Sequence, residues 1–234
     1  MAPNVVIIPT YNEKDNISKL VKAILGLKKD FHILIIDDNS PDGTGEVIDR
    51  LAADIPEVHA CHRPKKMGLG SAYVLGFTIA LESKFDNIIE MDADFSHDPQ
   101  ALPAFLERFE HGYDVVIGSR YVKGGKIVNW SADRKALSRY ANIYARTITR
   151  LPAKDLTGGF NGYKREVLEE IDLKKIHSNG YAFQIEMKYR AWQKGFRLTE
   201  FPIVFSERHK GESKMEKWII WEALWLVWRL RMGK

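Results

Sequence analysis

The amino-acid sequence predicts an α/β domain with a mostly parallel central sheet, and two observations support this. Short, almost wholly apolar runs, typical of strands buried on both faces, recur in the first half of the chain. These runs are Val5–Ile8, Ile33–Ile36, Ile88–Met91 and Val115–Ile117. Between the first two, the residues that recur at helical spacing are Ile17, Leu20, Val21 and Ile24. Alternating buried strands and amphipathic helices are the pattern of βαβ units.

Two further features are predicted before the strand at Ile88–Met91: a second helix, and a site where a helix packs tightly. Val47, Ile48 and Leu51 repeat at helical spacing after the turn Ser40–Gly43. Further on, the glycines of Gly68–Tyr73 suggest a dinucleotide-binding loop. That motif fails here because its third glycine is missing and a basic segment replaces the strand that it requires. We therefore interpret these glycines as sites of tight helix packing.

From about Asn129 onward the pattern changes. The second half contains a basic helix at 134–150, a glycine-rich segment at 157–162, a helix around 183–192 and a strand near 201–205. We find neither a linker nor an internal repeat in the sequence. The whole chain, residues 1–234, is therefore predicted to form one domain.

Composition and charge exclude several classes of protein. With 45% hydrophobic and 28% charged residues, the chain is neither disordered nor collagen-like, and its one cysteine, Cys61, cannot form an internal disulfide. The 35 basic and 31 acidic residues give a formal charge of +4, too balanced for a general nucleic-acid binder. The N-terminus lacks the pattern of a signal peptide. We therefore expect a cytosolic location and no nucleic-acid partner.

Acidic residues follow the predicted strands, where ligands bind in parallel α/β sheets. Asp92 and Asp94 are two residues apart, so both carboxylates can point to one side of the strand end. A divalent cation that also binds phosphate oxygens is the natural ligand of such a pair. The alternative is a solvated loop or a helix cap, since Asp98 precedes Pro99.

The segments after the first two strands suggest a nucleotide site less specifically. Asp37 and Asp38 are adjacent and face opposite ways, so one is expected to meet a ligand while the other fixes the turn. Tyr11 could stack on a nucleobase, but taken by itself it is better explained as an ordinary turn residue.

Six segments together carry a resemblance to a known family. In chain order they are Pro9–Glu13, Asp37–Thr44, Asp92–Asp94, Gly118–Tyr121, Asp155–Phe160 and Arg208–Lys214. This set closely resembles the dolichol-phosphate (polyprenol-phosphate) mannosyltransferases, which are family-2 glycosyltransferases with the GT-A fold. The resemblance covers nearly the whole chain. It implies a single GT-A, Rossmann-like domain with a nucleotide-sugar and metal half at 1–128, an acceptor and phosphate half at 129–214, and an amphipathic C-terminal helix at 215–234.

The resemblance also implies roles for individual residues. The residues that would cradle the nucleotide are Pro9, Tyr11, Glu13, Ile36 and Asp38. Those that would meet the ribose and diphosphate are Asp92, Ala93 and Asp94, with Asp94 as the principal ligand of Mg²⁺ or Mn²⁺. Those that would contact the donor or its phosphates, and serve in catalysis with Asp94, are Arg120, Arg208 and Lys214.

Ser96 marks a departure from part of the family. Some archaeal relatives have a glutamine there as an extra metal ligand. Serine is a shorter and weaker ligand, so we expect a water molecule in that place.

The basic helix supplies a candidate site for the acceptor phosphate. Arg134 and Ser138 are four residues apart, hence on one helix face, where a guanidinium and a hydroxyl can bind one phosphate group. They also match the acceptor-phosphate segment of the family. Arg139 extends the positive surface, whereas we interpret Arg146 and Arg150 as solvated.

The resemblance implies inverting transfer of mannose from GDP-mannose to a polyprenyl or dolichyl phosphate. Three alternatives remain. The first is a polyprenol-phosphate glycosyltransferase that uses a UDP-sugar, since neither Tyr11 nor Asp38 reveals the base. The second is a nucleotidyltransferase, which lacks support because Pro9–Glu13 replaces the glycine-rich basic loop expected after the first strand. The third is a non-catalytic nucleotide-sugar-binding protein, which the intact acidic and basic residues disfavour.

The C-terminus suggests contact with a membrane. This segment contains the tryptophans Trp218, Trp221, Trp225 and Trp228. On a helix of 3.6 residues per turn, these four side chains lie within an arc of about 80°. Tryptophan prefers membrane interfaces, and the basic residues just beyond could meet anionic headgroups. The stripe could equally pack on the domain itself or on a second subunit. We expect a peripheral protein on the cytoplasmic face of a membrane, with a separate membrane-anchoring protein as a further candidate partner.

Overall fold

A computed structural model describes residues 3–206 and 225–232. The strands in this part of the chain are β1 (Asn4–Thr10), β2 (Phe31–Asp37), β3 (Val58–His62), β4 (Asn87–Glu90), β5 (Val115–Ser119), β6 (Lys126–Val128), β7 (Asn161–Lys164), β8 (Leu198–Pro202) and β9 (Val204–Ser206). The α-helices are α1 (Lys14–Leu25), α2 (Thr44–Asp54), α3 (Leu69–Glu82), α4 (Leu102–Glu110), α5 (Ala132–Thr149), α6 (Arg165–Glu170) and α7 (Gly180–Gln193). Residues 225–231 are also helical and are named here the C-terminal helix.

Seven strands form the central sheet in the order β3-β2-β1-β4-β7-β5-β8. Only β7 runs antiparallel to its neighbours, so the sheet is mostly parallel, as predicted. A separate sheet pairs β6 with β9 in parallel. The four apolar runs are all strands, and the helices predicted at 134–150 and 183–192 correspond to α5 and α7.

The strand predicted near 201–205 is divided between the two sheets. β8 ends at Pro202, which has no N–H to continue the ladder. Ile203 then connects the sheets, since its N–H donates to the Ser119 carbonyl at 3.0 Å and its carbonyl accepts from Lys126 N at 3.0 Å. Three strands that periodicity did not predict are the edge strand β3 and the short β6 and β7.

Apolar side chains from the central sheet fill a core on each of its faces. Val5 and Ile7 belong to the core beneath α3, α6 and α7, whereas Val6 and Ile8 belong to the core beneath α1, α2 and α4. This alternation along one strand is why β1 is apolar throughout. The carboxyl ends of the parallel strands are thereby left at one edge for ligand binding.

The C-terminal helix packs on the first of these cores through Leu226, Val227 and Leu230, all buried. Among the described residues, no helix is both long and apolar enough to cross a membrane.

The interpretation of the glycines at 68–73 is confirmed. A Cβ atom added to Gly70 would lie 2.4 Å from the carbonyl oxygen of Ser178, which precedes α7. Any side chain at this position would therefore push α3 away from the segment that leads into α7.

Candidate active site

The loops after β1 and β2 are joined by hydrogen bonds at the carboxyl edge of the sheet. Asn12 N donates to Ser40 Oγ at 3.0 Å, and Glu13 N donates to Thr44 Oγ1 at 3.0 Å. Gly43, which precedes α2, has a φ of 86°, a conformation suited to glycine. The two predicted nucleotide segments therefore form one rigid surface.

Asp37 is the aspartate of this pair that fixes the turn, and the ligand role predicted for Asp38 stays a prediction. Asp37 fixes the turn by accepting from Ser40 N at 3.1 Å and Ser40 Oγ at 2.6 Å. Asp38 forms a buried ion pair with Arg63, whose guanidinium also donates to Ser71 Oγ at 2.8 Å. Asp38 is thus held against the N-terminus of α3, in a fixed orientation beside the nucleotide surface.

The other predicted nucleotide residues differ in how they can contact a ligand. The Tyr11 ring is exposed, and Lys66 Nζ lies 4.3 Å from its centroid, so a base or phosphate could meet both. Glu13 directly precedes α1, and its carboxylate accepts from Asn16 Nδ2 at 2.8 Å. Pro9 is half-buried, whereas Ile36 is wholly buried in the core. Ile36 can therefore contact a ligand only through its backbone.

Asp92 and Asp94 follow β4, with Ala93 buried in the core between them. Asp94 is buried, and its Oδ1 accepts from Ser96 N at 2.9 Å. The Ser96 hydroxyl is also buried and has no hydrogen-bond partner in the described part of the chain. The Asp94 carboxylate and the unsatisfied Ser96 hydroxyl, with Asp92 two residues earlier at the same strand end, offer oxygen ligands that suit a hard divalent cation.

His97 supports this acidic pair without adding positive charge. Its ring is buried, and Nδ1 accepts from Asp92 N at 3.4 Å. Burial, opposed by Asp94, lowers the pKa of His97 to about 4. The imidazole is therefore neutral near pH 7. Asp98 caps the following 3₁₀ turn at Pro99–Ala101 by accepting from Gln100 N at 2.9 Å. The alternative interpretation of this segment as a helix cap is therefore correct for Asp98, but it does not explain Asp92.

The glycine-rich loop at 155–160 lies against the acidic pair. A Cβ atom on Gly159 would be 4.0 Å from both carboxylate oxygens of Asp92. The loop is anchored by Asp155, which accepts from Arg120 Nε and Nη2 at 2.7 Å each and from Gly158 N at 3.0 Å. Arg120 Nη2 also donates to Thr157 Oγ1 at 2.9 Å.

This buried ion pair limits what Arg120 can do. Burial by itself would raise the pKa of Asp155 and lower that of Arg120. The attraction between the two opposite charges, with their hydrogen bonds, has the larger effect. The pKa of Asp155 is lowered and that of Arg120 is raised. The Arg120 guanidinium is therefore charged, and two of its nitrogens already donate to the Asp155 carboxylate. Arg120 can therefore orient the loop and contribute positive potential, and only the part of it not bound to Asp155 can contact a ligand.

Lys188 is a further supporting residue that the sequence did not reveal. It is fully buried on α7, and its ammonium donates to the carbonyl oxygens of Leu156 at 3.1 Å and Gly158 at 2.8 Å. Burial lowers its pKa to about 8, against the opposing effect of Asp155. Lys188 thus holds the underside of the loop that faces Asp92.

A buried amide network completes the underside of the site. Asn161 Nδ2 donates to Glu90 Oε2 at 2.9 Å and to Gln184 Oε1 at 2.7 Å. Burial raises the pKa of Glu90 to about 8, so this carboxyl is mostly protonated near pH 7. Glu90, which lies two residues before Asp92, therefore adds little negative charge beneath Asp92 and Asp94.

Arg134 and Ser138 are both half-buried on one face of α5, as their spacing predicts. Ser138 Oγ accepts from Tyr121 OH at 2.7 Å, and Tyr121 follows Arg120 in sequence. The Arg134 guanidinium lies 4.0 Å above the Trp130 ring. Further along α5, Asn142 binds the glycine-rich loop, since its Nδ2 donates to Thr157 Oγ1 at 3.0 Å. α5 and the loop beside Asp92 are thus directly connected.

Two predicted phosphate-binding residues, Arg208 and Lys214, lie outside the described residues, as do Trp218 and Trp221. Their assigned roles remain predictions. Trp225 and Trp228 are described and largely exposed.

Sequence reasoning missed several supporting residues of this site. They are Arg63, Glu90, Asn142, Asn161, Gln184 and Lys188. The only sequence signal for α7 was its helical pattern, which does not reveal that residues 182–189 are all buried. A polar residue on a wholly buried helix must find an internal partner, but which partner it finds depends on the fold.

Comparison with known proteins identifies the family of this chain. The chain matches the family described as "Glycosyl transferase family 2" over residues 5–172. It is 46% identical over 229 residues to the polyprenol monophosphomannose synthase of Mycolicibacterium smegmatis, covering 97% of this chain and 86% of that protein. It is 45% identical over 218 residues to the undecaprenyl-phosphate mannosyltransferase of Micrococcus luteus, covering 93% and 89% respectively.

Solved structures share the fold at lower sequence identity. Glucosyl-3-phosphoglycerate synthase from Mycobacterium tuberculosis, crystallised with Mn²⁺, UDP and glucosyl-3-phosphoglycerate, has a TM-score of 0.71 at 16% identity, covering 99% of this chain and 80% of that one. A second mycobacterial protein has a TM-score of 0.74 at 16% identity, covering 99% and 75%. These neighbours establish the GT-A architecture. Taken with the family match and the two relatives, they show that this chain is a glycosyltransferase and belongs to glycosyltransferase family 2.

Proposed function

We propose that this enzyme transfers mannose from GDP-mannose to a polyprenyl (dolichyl) phosphate with inversion, giving polyprenyl phosphate β-mannose and GDP. The observation that carries the proposal is the link between two sites. The acidic pair Asp92 and Asp94 lies beside the loop at 155–160, and that loop is bonded to α5, which carries Arg134 and Ser138. The proposed nucleotide-sugar site would thus adjoin the proposed site for the acceptor phosphate. Both named relatives act on polyprenyl-type acceptors and transfer mannose, which favours this donor sugar and acceptor.

The donor would occupy the carboxyl edge of the sheet. The surface formed by Tyr11, Glu13 and Asp38 would receive the nucleoside, and its hydrogen bonds to the loop after β2 keep it preorganised. Asp92 and Ala93 would meet the ribose and diphosphate. We assign residues 1–128 to donor and metal binding and residues 129–214 to the acceptor and phosphates.

Asp92 and Asp94, with Ser96 directly or through water, would hold Mg²⁺ or Mn²⁺. A bound divalent cation would neutralise charge on the departing nucleoside diphosphate. Arg208 and Lys214 are proposed to add positive charge there. Arg120 would contribute from within its ion pair with Asp155.

The acceptor needs orientation more than activation. A phosphate monoester has its second pKa near 6, so it is largely a dianion at neutral pH and requires no strong base. Arg134 and Ser138 would bind its oxygens and align one of them behind C1 of the sugar. Attack forms the new C1–O bond while the bond from C1 to the diphosphate oxygen breaks, and in-line displacement inverts the anomeric centre.

Thermal stabilisation by nucleotides tests the donor. We expect GDP and GDP-mannose, with Mg²⁺ or Mn²⁺, to raise the Tm by several degrees, whereas UDP and UDP-glucose have little effect. A ligand that binds only the native state stabilises it by about 2.7 kcal/mol at 100 times its Kd, which corresponds to several degrees for a chain of this size. Turnover to polyprenyl phosphate with UDP-glucose but not GDP-mannose would establish the UDP-sugar alternative. Binding without any turnover would indicate a non-catalytic protein.

Replacing Arg134 by Ala is expected to raise the KM for the lipid phosphate by roughly 10- to 100-fold, because a charge-assisted hydrogen bond contributes about 1.5–3 kcal/mol. The KM for the donor should change little. Steady-state kinetics with each substrate varied in turn measures both. Lys135→Ala is the matched control, since it removes the same charge from the neighbouring exposed position of α5. Equal effects on both substrates would instead place Arg134 at the diphosphate.

We further propose that the enzyme is peripheral on the cytoplasmic face of a membrane, where a long polyprenol must be reached. A separate membrane-anchoring protein is a candidate partner.

A further inference from the structure

Trp130 lies between β6 and α5 and is almost wholly buried, with 7% of its surface exposed. Its ring meets the ring of Phe205 on β9 edge-on, with the centroids 5.4 Å apart. The guanidinium of Arg134 lies 4.0 Å from the centroid of the Trp130 ring, and that of Arg120 lies 5.8 Å from it. Trp130 is therefore fixed by packing beside two arginines that are predicted to contact phosphate groups.

The indole N–H of Trp130 is a donor that lacks an acceptor in the described part of the chain. Its Nε1 is buried and has no hydrogen-bond partner there. Neither Arg120 nor Arg134 can supply one, because a guanidinium carries only donors. Buried donors without an acceptor are unfavourable and rare in native proteins. The geometry therefore points to an acceptor atom that a bound ligand provides.

The polar groups nearest to Trp130 are donors as well. Tyr121 OH gives its only proton to Ser138 Oγ at 2.7 Å, which leaves the proton of the Ser138 hydroxyl for another acceptor. The Arg134 guanidinium, one turn before Ser138 on α5, carries five N–H donors. A phosphate monoester offers three strong acceptor oxygens. One phosphate group could therefore bind the Trp130 N–H together with Arg134 and Ser138.

We propose that Trp130 is a further residue of the site for the acceptor phosphate. Its N–H donates to an oxygen of the phosphate, and its ring holds the Arg134 guanidinium in the orientation that binds the same group. Restraining a flexible arginine before the ligand arrives reduces the entropy that binding costs. This inference rests on the proposed function for the identity of the acceptor as a prenyl phosphate, and it deepens that function by adding an uncharged donor.

Variants of the full chain separate the N–H from the ring. W130F keeps an aromatic ring beside Arg134 but removes the N–H, whereas W130L removes both. We expect W130F to bind geranyl phosphate, a short soluble prenyl phosphate, roughly tenfold more weakly than wild type, because a hydrogen bond to a charged group is lost. W130L should bind more weakly still. Isothermal titration calorimetry measures each Kd.

W192F is the matched control. Trp192 is a half-buried residue of α7 that packs against the core and contacts the ring of Tyr189. It should bind geranyl phosphate as wild type does. Circular dichroism melting and stabilisation by GDP should be retained in W130F and W192F, which establishes that both variants fold and keep the donor site.

The indole N–H can also be observed directly by ¹⁵N NMR of the wild-type chain labelled at its six tryptophans. The Trp130 resonance is the one that W130F lacks, and variants of the other five tryptophans assign it by elimination if W130F does not fold. Geranyl phosphate should move this resonance downfield, since the N–H gains a charged acceptor. Geraniol, which lacks the phosphate, should leave it in place. A tryptophan that serves packing alone would not distinguish these two compounds.

Binding and NMR need no turnover, so this inference and the proposed function can fail separately. If geranyl phosphate moves the Trp130 resonance but no mannose is transferred, the proposed function fails and the inference stands. If mannose is transferred but W130F binds geranyl phosphate as tightly as wild type, only the inference fails. It is also overturned if the resonance does not move, or if GDP with Mg²⁺ moves it and geranyl phosphate does not, which would place Trp130 at the donor diphosphate.

Discussion

Replacing Asp94 by Asn is expected to abolish detectable transfer, a loss of about 10³-fold or more, while leaving the fold intact. Removing one preorganised electrostatic contact to a developing charge typically costs about 10²–10³ in rate, and here the lost group would also be the principal metal ligand. The amide oxygen of Asn can still accept the hydrogen bond that Asp94 Oδ1 accepts from Ser96 N. The variant therefore removes the charge and preserves the local geometry.

Initial rates with saturating donor and acceptor, together with GDP stabilisation measured with and without Mg²⁺ or Mn²⁺, test this prediction. The metal-dependent part of nucleotide binding should be weakened in D94N. D98N is the matched control, because Asp98 is exposed four residues further on and caps a 3₁₀ turn, a role that Asn fills equally well. Full activity in D94N would remove the metal from the proposed mechanism.

Replacing Asp155 by Asn is expected to lower the free energy of unfolding by about 3–5 kcal/mol, the usual effect of removing one partner from a buried ion pair. The Arg120 guanidinium would remain buried without its counter-charge. The loop at 155–160 would also lose a strong anchor beside Asp92, so transfer activity should fall as well. Urea denaturation at pH 7 measures the change in stability.

The pH dependence provides an independent check. Arg120 lowers the pKa of Asp155 in the folded state, so the stabilisation is complete above the unfolded value of about 3.9. It is lost as the pH falls through the lower, folded pKa. The difference between wild type and D155N should therefore be largest near neutrality and shrink in strong acid. E169Q, which alters a half-exposed ion pair with Arg165, should cost less than about 1 kcal/mol at pH 7. A similar small loss for D155N would contradict the assigned role of the pair.

The C-terminal helix also determines how membrane binding should be probed. Truncation at Lys217 would remove Leu226, Val227 and Leu230, which are part of the core. Loss of vesicle binding by a truncated chain could therefore come either from damage to the core or from loss of the membrane contact. Substitution of Trp225, whose side chain is exposed, avoids this difficulty.

The architecture and the outline of the site could be predicted from the sequence because their signals are local. A strand buried on both faces must be apolar throughout, so β1, β2, β4 and β5 were evident. Residues that follow such strands lie at the ligand edge in any parallel sheet. This rule alone located Asp92 and Asp94.

Only the tertiary structure decided which polar residues are buried and what holds them. Lys188, Asp155 and Asn142 lie in sequence patterns that look like ordinary helix or loop, and their partners are distant along the chain. β7 contains Asn and Gly, poor strand formers, and exists because β4 and β5 flank it. Burial is a property of long-range packing, and a single sequence records the residues but not the neighbours that desolvate them.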